Sequence, residues 1–226
     1  MSQIAGLDRQ TAPVTTPSLD RLLDGWSLAG AHVDLAPPAT AAELASAESE
    51  LGRPLPDEVR ELYAACNGMS LASGDLVLHP LTGPDGRSVT TAAPQLREQA
   101  WPVPEELLVL GDNGGDEAIG VWAVADARRA LVVLIGSPLD DSPLAVLGTS
   151  LTGFLAAWTA YFLPLADPGE DPAVADFLAE VGAPSPETGD EDEHLMNLLA
   201  WGSPDLPELD DGPLAPAELT RLAQQT

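Results

Sequence analysis

The sequence predicts an α+β protein, and three observations carry that prediction. Segments with helical periodicity and strand-like apolar runs are grouped rather than alternated, which argues against repeated βαβ units. The 226 residues are 45% apolar but only 4% aromatic, enough for one sizeable core built mostly of Leu, Val and Ala. Composition then shifts after residue 166, where 15 acids, eight prolines and one base, Arg221, share 60 residues. Three zones follow: a lead-in over 1–37, a core domain over 38–166, and an acidic Pro-rich tail over 167–226 with short amphipathic helices.

In the lead-in, "TPSLDRLLDGW" places Leu19, Leu22, Leu23 and Trp26 at i, i+3, i+4 and i+7, the face of a short helix. Pro37 and Pro38 then break the chain. Thr40 and Glu43 form the T-x-x-E of a capping box, which satisfies the orphan amides at a helix start. That helix, "AAELASAESEL", stops at Gly52. A second helix follows a tight "GRPLP" corner, with Pro56 at its first position and Asp57 and Glu58 complementing the macrodipole. Val59, Leu62, Tyr63 and Cys66 make its buried stripe, and Asn67-Gly68 supplies a left-handed cap.

Strands come next. "DLVLHPL" (75–81), "ELLVLGD" (106–112), "EAIGVWAV" (117–124) and "ALVVLIG" (130–136) are apolar runs, whereas 82–100 reads as an irregular excursion. A last core helix begins at Ser150, carries Leu151, Phe154, Leu155, Trp158 and Phe162 as its apolar face, and ends at Pro164. In the tail, Asp171 caps a helix that starts at Pro172 and carries Val174, Phe177, Leu178 and Val181 on one side. "DEDEHLMNLLAWG", with Leu195, Leu198 and Leu199, and "APAELTRLA" offer two more amphipathic stretches. Three fates fit this tail: docking on the protein's own core, docking on a partner, or disorder.

Charge excludes some functions. Nine basic residues, all Arg, face 36 acids, for a formal net charge of −27. Such a surface repels phosphate backbones, so direct nucleic-acid binding is not expected; it either attracts and steers basic partners or mainly maintains solubility. No apolar run reaches the roughly 20 residues of a membrane span. The N-terminus has neither a basic start nor an apolar h-region, so a cytoplasmic location is expected. The lone Cys66 allows no internal disulfide and no multi-cysteine metal site.

Catalytic motifs are missing: no G-x-S-x-G, P-loop, G-x-G-x-x-G or H-E-x-x-H occurs. His32, His79 and His194 have no metal-ligand spacing, and Cys66 sits on an apolar stripe as core filler. The loop "LGDNGGDEAIG" (110–120) needs a stricter test. Counted from Asp112 as an EF-hand, it has Gly114 at position three, Glu117 at six and Ala123 at twelve, so the ligand pattern fails. Gly114-Gly115 between two strand-like runs instead suits a turn. Asp112, Asp116 and Glu117 keep one open role, as part of an acidic face for a basic partner. A hydrolase using acids near this turn remains a formal third reading, with no motif behind it.

The stretch "AELASAESELGRPLPDEVRELYAACNG" resembles the signature of the SUKH superfamily, which includes the fungal cell-wall-synthesis regulator and many bacterial immunity proteins. The matching residues are Glu48 on the first helix, Leu51-Gly52, Leu55-Pro56, and Asn67-Gly68. "LLVLGDNGGDEAIGVWAV", with Gly114, Gly115 and Asp116, resembles the family's strand, Gly-rich turn and strand. "TSLTGFLAAW", with Phe154-Leu155 after Ser150, resembles its closing helix. The resemblance covers about 38–166 and implies a mixed, mainly antiparallel sheet flanked by helices, no cofactor, no metal and no enzymatic activity. It also implies a protein partner: a cognate toxin domain, often a basic nuclease, that an acidic immunity protein occludes. The alternative it carries is a regulatory scaffold of the fungal type, whose acidic tail recruits partners.

Overall fold

A computed structural model describes residues 17–71, 74–83, 87–101, 103–115, 117–122, 131–136, 144–165, 171–181 and 219–221. Six α-helices and seven strands occur among them: α1 (Leu19–Ala29), β1 (Val33–Leu35), α2 (Ala41–Leu51), α3 (Asp57–Ala65), β2 (Met69–Leu71), β3 (Leu76–Leu78), α4 (Val89–Glu98), β4 (Leu107–Asp112), β5 (Ala118–Trp122), β6 (Leu131–Ile135), β7 (Leu144–Gly148), α5 (Leu151–Leu165) and α6 (Pro172–Glu180). The strands form one sheet in chain order, β1 to β7, and each neighbouring pair is antiparallel. The α+β class holds, but the parallel pairing that a mixed sheet requires is not among the described strands. β2–β3 and β4–β5 are joined by short turns, which only an antiparallel pair allows, whereas α2 and α3 lie between β1 and β2, and α4 lies between β3 and β4.

Strand periodicity sends alternate residues to opposite faces, and here both faces are apolar. Leu108, Leu110, Ile119, Val121, Val132 and Leu147 join a core with α1, α2, α3, α5 and α6. Leu107, Val109, Trp122, Leu131, Val133, Ile135 and Leu144 join a second cluster on the other side, with Ala92 and Ala93 of α4, Val103 and Leu219. A register shift between Val109 and Gly111 bends β4 against β5. At that point β4 and β3 come close: a Cβ on Gly111 would overlap the Val77 carbonyl oxygen, so only glycine fits.

Several expectations change. The excursion over 82–100 contains helix α4, which starts without a side-chain cap. Its first amides donate instead to the backbone of the preceding loop, Val89 N to Pro80 O (2.9 Å) and Thr90 N to Leu81 O (3.2 Å). Pro56 is the N-cap of α3 rather than its first residue, and α3 ends in extended Cys66, so Asn67-Gly68 is not a left-handed cap. Gly68 does have positive φ (+107°). Pro164 lies inside α5, which runs one residue further to Leu165. β1, β2 and β7 were not expected, and β3 covers only Leu76–Leu78 of the 75–81 run.

One part of the tail docks on the core. Asp171 Oδ1 accepts from Ala173 N (2.8 Å) and Pro172 opens α6. Val174 and Phe177 are buried, and Phe177 lies over Gly25 of α1, where a Cβ would overlap its ring. Arg21 closes the same contact from above, paired with Glu180 (2.6 Å) and 5.3 Å from the Phe177 ring centroid. Leu219 is fully buried in the second cluster. The stretch 190–202 with Leu195, Leu198 and Leu199 lies outside the described residues.

The inner core contains one polar tie: Trp26 Nε1 donates to Thr159 Oγ1 (2.9 Å), whose hydroxyl donates to Leu155 O (2.7 Å), all fully enclosed. Thr159→Val keeps the shape but strands the indole N–H, which costs about 1–3 kcal/mol. A urea midpoint lowered at unchanged slope is the expected result, with Thr159→Ser recovering most of the loss.

Candidate partner-binding site

The residues of the α2–α3 corner hold one another. Thr40 Oγ1 accepts from Glu43 N (3.2 Å) while Glu43 Oε2 accepts from Thr40 N (2.7 Å), so the capping box forms in full. α2 ends in left-handed Gly52 (φ +67°). Glu48 then spans the corner: its Oε1 accepts from Leu55 N (2.9 Å) and pairs with the Arg60 guanidinium. The Leu55 amide holds the Glu48 carboxyl below its ordinary range, with Arg60 adding to the effect. Leu55 itself is buried. Asn67 closes the far end of α3, its Oδ1 accepting from Leu81 N (2.9 Å) and its N donating to Pro37 O (3.0 Å). At the start of α5, Leu151 N donates to Glu58 Oε2 (3.1 Å) and Gly153 N to Ser150 Oγ (3.0 Å), so an acid of α3 helps to cap α5. Phe154 and Leu155 follow as buried core residues.

The β4–β5 turn is held in the same way. Asp112 Oδ1 accepts from Gly114 N (2.9 Å), and its Oδ2 lies 3.1 Å from His79 Nε2. The His79 contact, ahead of the Gly114 amide and the charge of Arg87, keeps the Asp112 carboxyl below its ordinary range against the opposing effect of burial. Asn113 Oδ1 accepts from Gly115 N (3.1 Å) and Glu117 N (3.4 Å), and Asn113 Nδ2 donates to Glu117 Oε2 (2.6 Å). Gly114 has φ +74°, and a Cβ there would overlap the Gly74 carbonyl; Gly115 meets only the Asn113 side chain, at 3.3 Å. Asp112 and Glu117 therefore have internal partners as well as partial exposure, and Asp116 lies outside the described residues. The sequence offered no sign of the His79–Asp112 pairing, since the two are 33 residues apart and meet only because β3 pairs with β4.

Two further sequence readings can be placed. Among the described residues no three His, Cys, Asp or Glu side chains gather as a metal would need. Burial pushes the Cys66 thiol up to about 11, so the thiolate that a nucleophile requires is suppressed at neutral pH. His32 is half-buried, and His194 lies outside the described residues.

What faces outward from the helical layer is mostly negative. Asp20 and Asp24 of α1, Glu50 of α2, Asp57 and Glu61 of α3, and Asp176 of α6 are exposed. The described arginines do little to offset them, because four are committed elsewhere. Arg21 pairs with Glu180 and Arg60 with Glu48. Arg53 donates to Glu106 O (3.0 Å), and Arg97 donates to Val103 O (2.8 Å) and Pro104 O (2.7 Å). With Arg21 and Arg60 each paired to a carboxylate, the remaining exposed acids leave this layer with a net negative charge.

A model of the SMI1 / KNR4 family (SUKH-1) matches residues 38–157, more than half of the chain. The matched stretch takes in the Glu48 corner, Asn67-Gly68, the β4–β5 turn and Phe154-Leu155. A search of curated proteins gives no match.

The two glycines of the turn separate on substitution. Gly114→Ala is strained in φ and collides with backbone, at a cost of about 2–3 kcal/mol; Gly115→Ala costs under about 1 kcal/mol. Thermal or urea unfolding of the pair reads the contrast. Acid titration tests the two carboxylates. Both Glu48 and Asp112 are depressed in the folded state, so their stabilisation is present above the ordinary carboxylate value, near 4.5 for Glu48, and is lost as pH falls below it. Glu58, raised by burial, works with the opposite sign and offsets part of that loss. Glu48→Gln lowers stability at pH 7 by about 1.5 kcal/mol, and with Asp112→Asn it flattens the acid limb of a stability–pH profile.

Proposed function

We propose a protein-binding role for this chain, which belongs to the SMI1 / KNR4 family (SUKH-1): an immunity protein that neutralises a basic toxin domain by occluding it. Proteins of this family are generally non-enzymatic immunity or regulatory proteins. The observation that carries the finer reading is where the charge goes. A net charge of −27 is combined with arginines spent on internal carbonyls and carboxylates, which leaves the acids of α1, α2, α3 and α6 facing outward. A cleft that binds phosphate is positive, and an acidic face competes for it. The mechanism is occlusion: steering brings the partner in quickly, and contacts made after encounter set the lifetime. Among the described residues no helix is long and apolar enough to cross a membrane, consistent with a partner met in solution.

A second reading, a regulatory scaffold, draws on the tail. Its 15 acids and one base follow the matched domain, and α6 anchors its start to α1. Deleting 167–226 would not separate the two readings, because it removes core residues Phe177 and Leu219. Neutralising Glu187, Asp190, Glu191, Asp192 and Glu193 leaves those anchors in place. Under the immunity reading toxin neutralisation survives that change; under the scaffold reading partner capture is lost.

The test is an association experiment. The full chain is used to capture its partner from a lysate of its source cell, and the association rate with that partner is measured across ionic strength. The expected partner is basic, the rate falls steeply with salt, and the Glu50→Gln, Asp57→Asn, Glu61→Gln triple variant lowers it by about tenfold at low salt. Co-expression should also restore growth to cells making the captured protein. A tight acidic or neutral partner with a salt-independent rate contradicts the electrostatic reading.

A further inference from the structure

The face of the sheet opposite the helical core poses a separate question, because five large apolar side chains of β5–β7, Trp122, Leu131, Val133, Ile135 and Leu144, are buried there. Helix α4 contributes Ala92 and Ala93 to this cluster but packs chiefly on β4 and reaches back to α2. Outside the sheet and α4, the described residues of this cluster are Trp101, Val103 and Leu219. Trp101 and Val103 lie just ahead of β4, and only Leu219 comes from a distant part of the chain. It is fully buried, and its neighbours Thr220 and Arg221 make contacts of their own.

Composition fits this placement. The tail is strongly acidic up to Asp211, but residues 212–226 contain one acid, Glu218, and one base, Arg221. A neutral, Leu- and Ala-bearing end suits an apolar sheet face, where a charged segment would lose hydration without compensation. The family match ends at residue 157, so the matched region includes β5–β7 but not Leu219. Left bare, five such side chains would form a contiguous apolar patch of the kind that marks an interaction site; on a typical soluble monomer the largest is roughly 300–600 Å².

We propose that the outer face of β5–β7 is a docking surface, and that its resident occupant is this chain's own C-terminal segment, seated in cis through Leu219. The segment acts as a cap that keeps the face from meeting a second copy of the chain. This surface lies across the sheet from the acidic helical layer, so it is independent of the proposed toxin contact.

The test uses the full chain. The wild type is expected at the monomer mass of 23.5 kDa by light scattering. Leu219→Asp is expected to shift towards at least twice that mass with concentration and to bind more of a hydrophobic dye, with its helical circular dichroism retained. An excess of a synthetic 213–226 peptide should return it to monomer, and the same peptide with Leu219→Asp should not. Monomeric Leu219→Asp with unchanged dye binding overturns the proposal, as does a peptide without effect. Should Leu219→Asp lose its helical signal, Leu219→Ala is read by the same criteria. A photo-crosslinking side chain at Thr220 identifies the occupant directly: adducts within one chain to β5–β7 support the cis cap, and adducts between chains overturn it.

Discussion

An antiparallel sheet with apolar residues on both faces must be covered twice, and the rest of this structure follows from that requirement. β4, β5 and β6 are buried along nearly their whole length rather than on alternate residues. The helices α1, α3, α5 and α6 take one face, and α4 with Leu219 takes the other. The acidic tail is therefore part of the domain at two places. Phe177 needs the bare surface of Gly25, and Leu219 needs the strands.

With the apolar surface committed to the sheet, polar side chains act as struts where the chain changes direction. Glu48 joins α2 to α3, Glu58 joins α3 to α5, and Asn67 joins the end of α3 to the start of the α4 loop. His79 and Asp112 join β3 to the β4–β5 turn. Two of these groups, Glu48 and Asn67, are also among the residues on which the sequence resembles SUKH proteins, and both hold corners of the chain. The exposed acids that the proposed function assigns to a partner, such as Glu50, Asp57 and Glu61, are marked by no motif.

Local signals were legible where the physics is local. The capping box at Thr40 and Glu43, the Gly52 stop, the Asp171-Pro172 start of α6 and the apolar stripe of α5 can all be read from neighbours three or four residues apart. α4 was hidden because its cap is not in its own sequence: the carbonyls of Pro80 and Leu81 start it, and Pro94 breaks its pattern. β1 and β2 have three residues each, too few to show a period, and exist through pairing with one another and with β3. The roles of Glu48, Asp112 and Leu219 depend on partners 7, 33 and roughly 90 residues away, and no periodicity encodes those meetings. For Asp112 and Glu117 the sequence suggested an outward acidic face, and the fold adds internal bonds that hold the turn.

Hydrogen exchange on the full chain tests the two-sided cover most directly. Amides of β5 and β6 should exchange only through global opening, and amides at 219–221 should share that opening free energy, converging with them as denaturant is raised. Exchange at 219–221 close to the unprotected rate, with β5 and β6 still slow, would contradict the account: the second face would then be sealed without the C-terminal segment.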